Sequence, residues 1–268
     1  MSVTSIIGLM MSLAVLVVGL YGSSPDIKVF WDGISLFIVL GGTIAATSIS
    51  FKLERILFLV KVFFKRVLQN TGKQSQQVVG ELIQFSDAFK KRDQAKLQTL
   101  LNQTTDPFLK ESMEMVLDGF LETNKLLEII DKRKENIFSS YLVDANKFKV
   151  IGKYPPAFGM MGTTIGMIVL LANLGGPDSA KTIGPAMGIC LITTLYGVAI
   201  SNLLILPVAE YLTVDAREAK QRNSIICEGI RLMLEGANPV VIAEELNSFF
   251  LPGERVNWKN YIATGAST

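Results

Sequence analysis

Three threonines, Thr163, Thr193 and Thr194, are the side chains of this sequence best placed to do chemistry, because they set neutral hydroxyls inside two long stretches without charge, 154–177 and 182–209. A hydroxyl oxygen can replace hydration water around a hard cation such as sodium, whereas a proton in transit needs a titratable group. The competing use of a threonine is local: its hydroxyl bonds to the preceding turn of its own helix and does nothing to ions. At 3.6 residues per turn, Pro156 and Thr163 fall on one face of the first stretch with Gly159 and Gly166 beside them, and Thr194, Gly197 and Ser201 form a similar stripe on the second, with Thr193 just off it. Small residues also let helices pack closely in lipid, so each Gly or Thr taken alone reads equally well as packing. Both stripes lie near mid-span.

Two prolines mark the inner ends of these stretches. Pro156 and Pro207 each remove a backbone donor and loosen the turn before them, which allows either a simple helix end or a hinge. What the stretches lack is as telling. None of the apolar spans carries Asp, Glu, Lys or Arg near its centre, although proteins that move ions through a membrane place an ionisable group there. The chain offers hydroxyls and proline breaks, and the titrating or ion-binding carboxylate must come from a partner.

The elements that hold these residues follow from composition. With 49% hydrophobic residues among 268 and a mean hydropathy of +0.38, the chain is more apolar than a soluble domain, yet 19% charged residues demand an aqueous part. Charge is almost missing from 1–25, 33–51, 154–177 and 182–209, each close to or above the ~20 residues a membrane helix needs. An all-α membrane protein with four transmembrane helices and a helical cytoplasmic domain is therefore predicted, divided as 1–51 (helices one and two), 52–150 (cytoplasmic domain), 151–208 (helices three and four) and 209–268 (cytoplasmic C-terminal helices). The first stretch lacks a leading Lys or Arg and a clear small-residue cleavage site, so it reads as retained. Lys and Arg are concentrated in 52–153 and 210–268, which places both termini and the large loop in the cytoplasm.

Within the aqueous part, Val78, Val79, Leu82, Ile83, Phe85 and Phe89 recur at helical spacing, Asp106 before Pro107 is an N-cap and first-turn pair, Gly236 stops a helix begun near Glu210, and Asn238 with Pro239 starts another. The residues after Pro252 lack periodicity and are expected to fray, leaving Trp258 and Tyr261 unexplained. No strand is expected. Basic and acidic residues interleave, which argues against nucleic acid. There is no phosphate-cradling loop, no nucleophile beside a base, and no histidine at all, so enzymatic chemistry, a resident cofactor and a common metal site are not expected. Cys190 and Cys227 lie in different environments and read as unpaired. The row Glu111, Glu114, Asp118 reads as a solvated helix face.

The run PPAFGMMGTTIGM, the loop GGPDSAKTIGPAM and the run TTLYGVAISNLLILPVAEYL resemble the A subunit of the bacterial flagellar stator, the MotA/PomA family within the MotA/TolQ/ExbB ion-channel group. The likeness is strong over 154–212 and looser elsewhere, while length and span order agree throughout. It implies a multi-pass inner-membrane subunit in a homo-oligomeric ring, a pentamer around a dimer of B subunits, each B subunit bearing the essential membrane Asp. It also implies contact with the rotor protein FliG. By resemblance, Thr163, Thr193 and Thr194 match threonines of sodium-driven members, with Thr163 and Thr194 on a transient sodium path shared with the partner carboxylate; protons are the alternative ion. Pro156 and Pro207 match the two coupling prolines. Lys90 and Lys91, in SDAFKKRD, match basic rotor-facing positions, whereas the acidic position downstream falls on Gln98, so that either Asp93 or Glu111 substitutes or rotor contact relies mainly on the basic side. Two other readings stand beside the stator: a transport energiser of the ExbB/TolQ type, whose members usually have three spans, and a stator-like motor of a non-flagellar system.

Overall fold

Apolar residues at helical spacing, punctuated by Asp, Asn, Gly and Pro, dictate helices, and the computed structural model contains helices and no strand among the residues it describes, 3–23, 26–52, 54, 56, 57, 61, 74–174 and 179–262. The helices are α1 (Val3–Ser23), α2 (Gly33–Ser50), α3 (Gln74–Lys90), α4 (Gln94–Gln103), α5 (Pro107–Asp118), α6 (Thr123–Ile151), α7 (Tyr154–Ala172), α8 (Ser179–Ala199), α9 (Leu206–Leu234), α10 (Pro239–Asn247) and the short α11 (Lys259–Ile262). A π-helical turn, Ile200–Ile205, joins α8 to α9. Among the described residues, three helical stretches are long and apolar enough to cross a membrane, Lys28–Ser50, Thr123–Ala172 and Ile183–Leu234. Of the four spans expected, the first corresponds to α1, a helix of 21 residues that is apolar over Met10–Ser23 among the described residues. Arg55, Lys65 and Arg66, which belong to the Lys and Arg concentrated in 52–153, lie outside the described residues.

The chain folds as two compact units, 1–70 with 141–214 and 71–140 with 215–268. In the first, α2 packs on α7 and α8, and α7 pairs with α8 over most of its length. The α7/α8 contact is antiparallel and nearly backbone to backbone. A Cβ on Gly197 would come within 2.5 Å of the Pro155 carbonyl oxygen, and one on Gly166 within 2.5 Å of Cys190 Sγ. Without a hydrophobic force between helices in lipid, such close approach supplies the attraction through dispersion.

The second unit is built the way water demands. Val78, Val79, Leu82, Ile83, Phe85 and Ala88 of α3 meet Ile225, Ile226 and Ile230 of α9, Ile242 and Leu246 of α10, and Leu109 and Met113 of α5 in one apolar core. Its helix ends carry the expected chemistry. Asp106 accepts from the Phe108 and Leu109 amides at 2.9 and 3.0 Å, Asn238 from Val240 at 3.2 Å, and Gly119 and Gly236 take the left-handed conformation (φ 64° and 79°) that ends α5 and α9.

The C-terminal segment departs from expectation. Residues after Pro252 do not fray as far as Ile262: the Asn247 side chain donates to the Val256 carbonyl (3.0 Å) and accepts from the Val256 amide (2.8 Å), and Trp258 Nε1 donates to Glu244 (3.0 Å). Tyr261 lies against Gly80, where a Cβ would meet its ring at 2.3 Å. Sequence periodicity misses this strap because it is held by single side chains, not by a helical face.

Candidate functional site: a hydroxyl pair between two close helices

Glycines on both sides of the α7/α8 contact bring the hydroxyls together. Thr163 Oγ1 of α7 lies 2.5 Å from Thr194 Oγ1 of α8, and the Cys190 carbonyl stands 3.0 Å from the first and 3.3 Å from the second. Thr163 also reaches the Gly159 carbonyl, one turn back on its own helix, at 3.1 Å. The cluster thus gathers four oxygens from two helices, two hydroxyls and two carbonyls. Both threonines are part-exposed, while the glycines beside them, Gly159, Gly162 and Gly166, are buried. Oxygen donors of this kind suit a hard cation, and each hydroxyl can also turn to its own helix, so the pair can open and close without leaving a buried donor unpaired.

Thr193 stands apart from the pair. It is fully buried, and its hydroxyl has the Ile189 carbonyl at 2.5 Å and Ser35 Oγ of α2 at 2.8 Å. Adjacent residues on a helix point about 100° apart, so consecutive threonines cannot share one face. Ser35 and Tyr196, which complete the setting of Thr193, carried no signal in the sequence beyond Ser35 following a helix cap.

The two prolines occupy different positions. Pro156 lies in the first turn of α7, where its missing amide would be unsatisfied anyway, after a break at Gly152–Lys153. Pro207 lies in the first turn of α9 directly after the π turn, in which the Leu206 amide reaches back five residues to Ser201. The two irregular places touch: the Ser201 hydroxyl donates to the Gly152 carbonyl at 2.5 Å, and the Leu206 side chain fills the space a Cβ on Gly152 would need.

In the second unit, Lys90 ends α3 exposed and makes no ion pair among the described residues, whereas Lys91 Nζ is 2.9 Å from Asp87, which Lys96 also reaches at 3.4 Å. Burial pushes the Asp87 carboxyl up, but the two lysines outweigh it and hold it below its usual range. Gln98 is exposed and lines a groove of ≈ 830 Å³ with Phe89, Arg92, Leu117 and Asp118. Neither suggested acidic substitute is free. Asp93 caps α4 through the Lys96 amide at 3.0 Å, and Glu111 pairs with Arg133. The Cys227 thiol, pushed up to about 12 by burial, is unreactive at neutral pH, and both cysteines are unpaired.

Residues 100–224 match the model of the MotA/TolQ/ExbB proton channel family. Over 263 residues the chain is 32% identical to motility protein A of Borreliella burgdorferi, covering 95% of this chain and 96% of that one. The chain belongs to the MotA/TolQ/ExbB proton channel family. Within that family it is also similar to chemotaxis protein PomA of Vibrio alginolyticus, at 25% identity over 95% of this chain and 98% of the relative. Its fold matches the flagellar MotAB stator complex of Bacillus subtilis with a TM-score of 0.79 at 25% identity, over 94% of this chain and 98% of that one. The Thr163–Thr194 pair, both prolines and the π turn all fall inside the span matched to the family model.

Proposed function

We propose that this MotA/TolQ/ExbB family member is the A subunit of a flagellar stator: it conducts ions together with a B subunit and converts their flow into torque. The observation that carries the reading is the hydroxyl pair, Thr163 with Thr194 at 2.5 Å, held between two helices that contain no charged side chain over 154–172 and 182–199. Such a path can hand a cation from oxygen to oxygen but cannot itself titrate, so the essential carboxylate is supplied in trans. In this reading Thr163 and Thr194 form the ion path, the broken turns before Pro156 and Pro207 are the hinges, and Lys90 with Lys91 faces FliG. The subunits form a ring, a pentamer around a B dimer, in the inner membrane. The spans lie within 1–51 and 151–208, and 52–150, 209–268 and both termini are cytoplasmic.

Sodium is the favoured ion, since four neutral oxygens suit a hard cation and a proton would need only the partner's carboxylate. The deciding experiment expresses the chain with and without its B subunit in a strain lacking its own A subunit, and follows motor speed against external sodium at constant membrane potential. Speed that depends on the B subunit, rises with sodium and falls on Thr163→Ala or Thr194→Ala supports the full reading. Conduction by the lone chain would sink the shared-carboxylate argument, and speed that ignores sodium but collapses with a protonophore would assign the motor to protons.

A further inference from the structure

Two consecutive threonines on α8 have different surroundings, and the buried one holds the key to the other. Thr193 sits where three helices meet. Its methyl group fills the place that a Cβ on Gly162 of α7 would take, at 2.2 Å, while its hydroxyl turns to α2. There it meets Ser35, also fully buried, whose own hydroxyl reaches the same Ile189 carbonyl at 3.5 Å, so two hydroxyls and one carbonyl close a triangle. Ser35 is itself fixed: its amide donates to Asp32 Oδ2 at 2.6 Å, the N-cap of α2. One turn further along α8, on the face of Thr193, the Tyr196 hydroxyl donates to the Phe30 carbonyl at 2.5 Å and accepts from the Asp32 amide at 3.2 Å. The α8 helix is therefore fastened at two successive turns to the start of α2.

A helix held at residues 193 and 196 has its rotation about its own axis decided. With about 100° per residue, fixing that face toward α2 aims Cys190, Thr194 and Gly197 at α7, which is the register that brings Thr194 to Thr163. We propose that Thr193, through Ser35 and with Tyr196, is a positioning residue that sets the rotation of α8 and so the geometry of the Thr163–Thr194 ion path, and that its own hydroxyl does not touch the ion. Its oxygen is enclosed and already engaged, so presenting it to an ion would require breaking the triangle and would leave the buried Ser35 hydroxyl only the Ile189 carbonyl at 3.5 Å.

The inference rests on the stator reading and makes a demand that reading alone does not: Ser35, on a different helix from either pair member, must matter as much as Thr193. The experiment measures the half-saturating concentration of the coupling ion for motor speed, sodium or, if speed ignores sodium, protons, in the assembled complex with its B subunit. Thr193→Val keeps the methyl against Gly162 and removes the hydroxyl; Ser35→Ala removes its partner. Each is expected to raise the half-saturating concentration by about tenfold, the scale of leaving one buried polar group unpaired. The Ser35→Ala/Thr193→Val double variant is expected to be no worse than the worse single one, because both break one triangle. Thr193→Ser, which retains the hydroxyl, is expected to stay within about twofold of the parent. Ser35→Ala leaving the ion response unchanged while Thr193→Val shifts it would overturn the proposal and make Thr193 an ion ligand. If Thr193→Val fails to assemble, Ser35→Ala and Thr193→Ser decide it: an unchanged response in the first, or a tenfold shift in the second, overturns it. A parent complex that turns no motor fails the stator reading instead, a distinct outcome.

Discussion

The two units of this chain solve the same problem, holding helices together, with opposite chemistry. In 1–70 with 141–214 the contacts are made by Gly159, Gly162, Gly166 and Gly197 and tied by hydroxyls, and the large apolar side chains Met160, Met161, Ile168 and Leu171 point outward. In 71–140 with 215–268 the large side chains Leu82, Phe85, Ile225 and Leu246 point inward, and charge pairs such as Lys220 with Glu135 and Arg231 with Glu228 cover the outside. The inversion tells which solvent each unit faces. Water drives apolar area inward; lipid gives no such reward, and closeness of backbones with satisfied polar groups is what remains. In the proposed reading function follows the same division, since a path for ions needs polar oxygens close together in an apolar surround, and among the described residues the glycine-lined contact provides that.

The comparison breaks most severely at Gly197. A side chain there meets the Pro155 carbonyl, which is backbone and cannot give way, so Gly197→Val is expected to separate α7 from α8 and abolish assembly with the B subunit in a co-purification. Gly188→Ala on the same helix, with nothing within 4 Å of the new Cβ, is expected to leave assembly and motility unchanged. Equal tolerance at both positions would remove the close-approach argument.

A smaller loss belongs to the aqueous unit. Phe85 is fully buried, and Phe85→Ala is expected to destabilise that unit by about 3–5 kcal/mol, read as a lowered melting temperature or faster proteolysis within 74–140. The ion response of complexes that still assemble is expected to be unaltered.

The smallest effects lie at the end of α3, where two neighbouring lysines differ. Lys90→Glu is expected to reduce torque without moving the melting temperature, because Lys90 is exposed and unpaired among the described residues. Lys91→Glu is expected to do both, with a stability loss of up to about 1 kcal/mol, since it takes one partner from Asp87. Asp87 has a lowered pKa in the folded state, so its contribution is full above the usual carboxylate range and is lost as the pH falls through its depressed value. The stability difference between Lys91→Glu and the parent is thus expected to shrink on acidification, and a swimming-plate assay in which both reversals behave as the parent would make these lysines mere solvated surface.

The sequence alone determined what each segment could be. Uncharged stretches, the asymmetry of Lys and Arg, the helix stops at Gly236 and Asn238–Pro239, and the family-like run across the two prolines are all local, and local patterns survive without coordinates. It also placed Thr163 and Thr194 on stripes at matching depth, which is as far as periodicity reaches. The tertiary structure decided which oxygens meet. That Thr194 joins Thr163 while Thr193 joins Ser35 depends on the rotation of α8 between two neighbours, which is fixed by contacts from residues more than 150 positions away. The docked strap through Asn247, Trp258 and Tyr261 and the touching of Gly152 with the π turn were likewise hidden, because one long-range hydrogen bond leaves no period in a sequence.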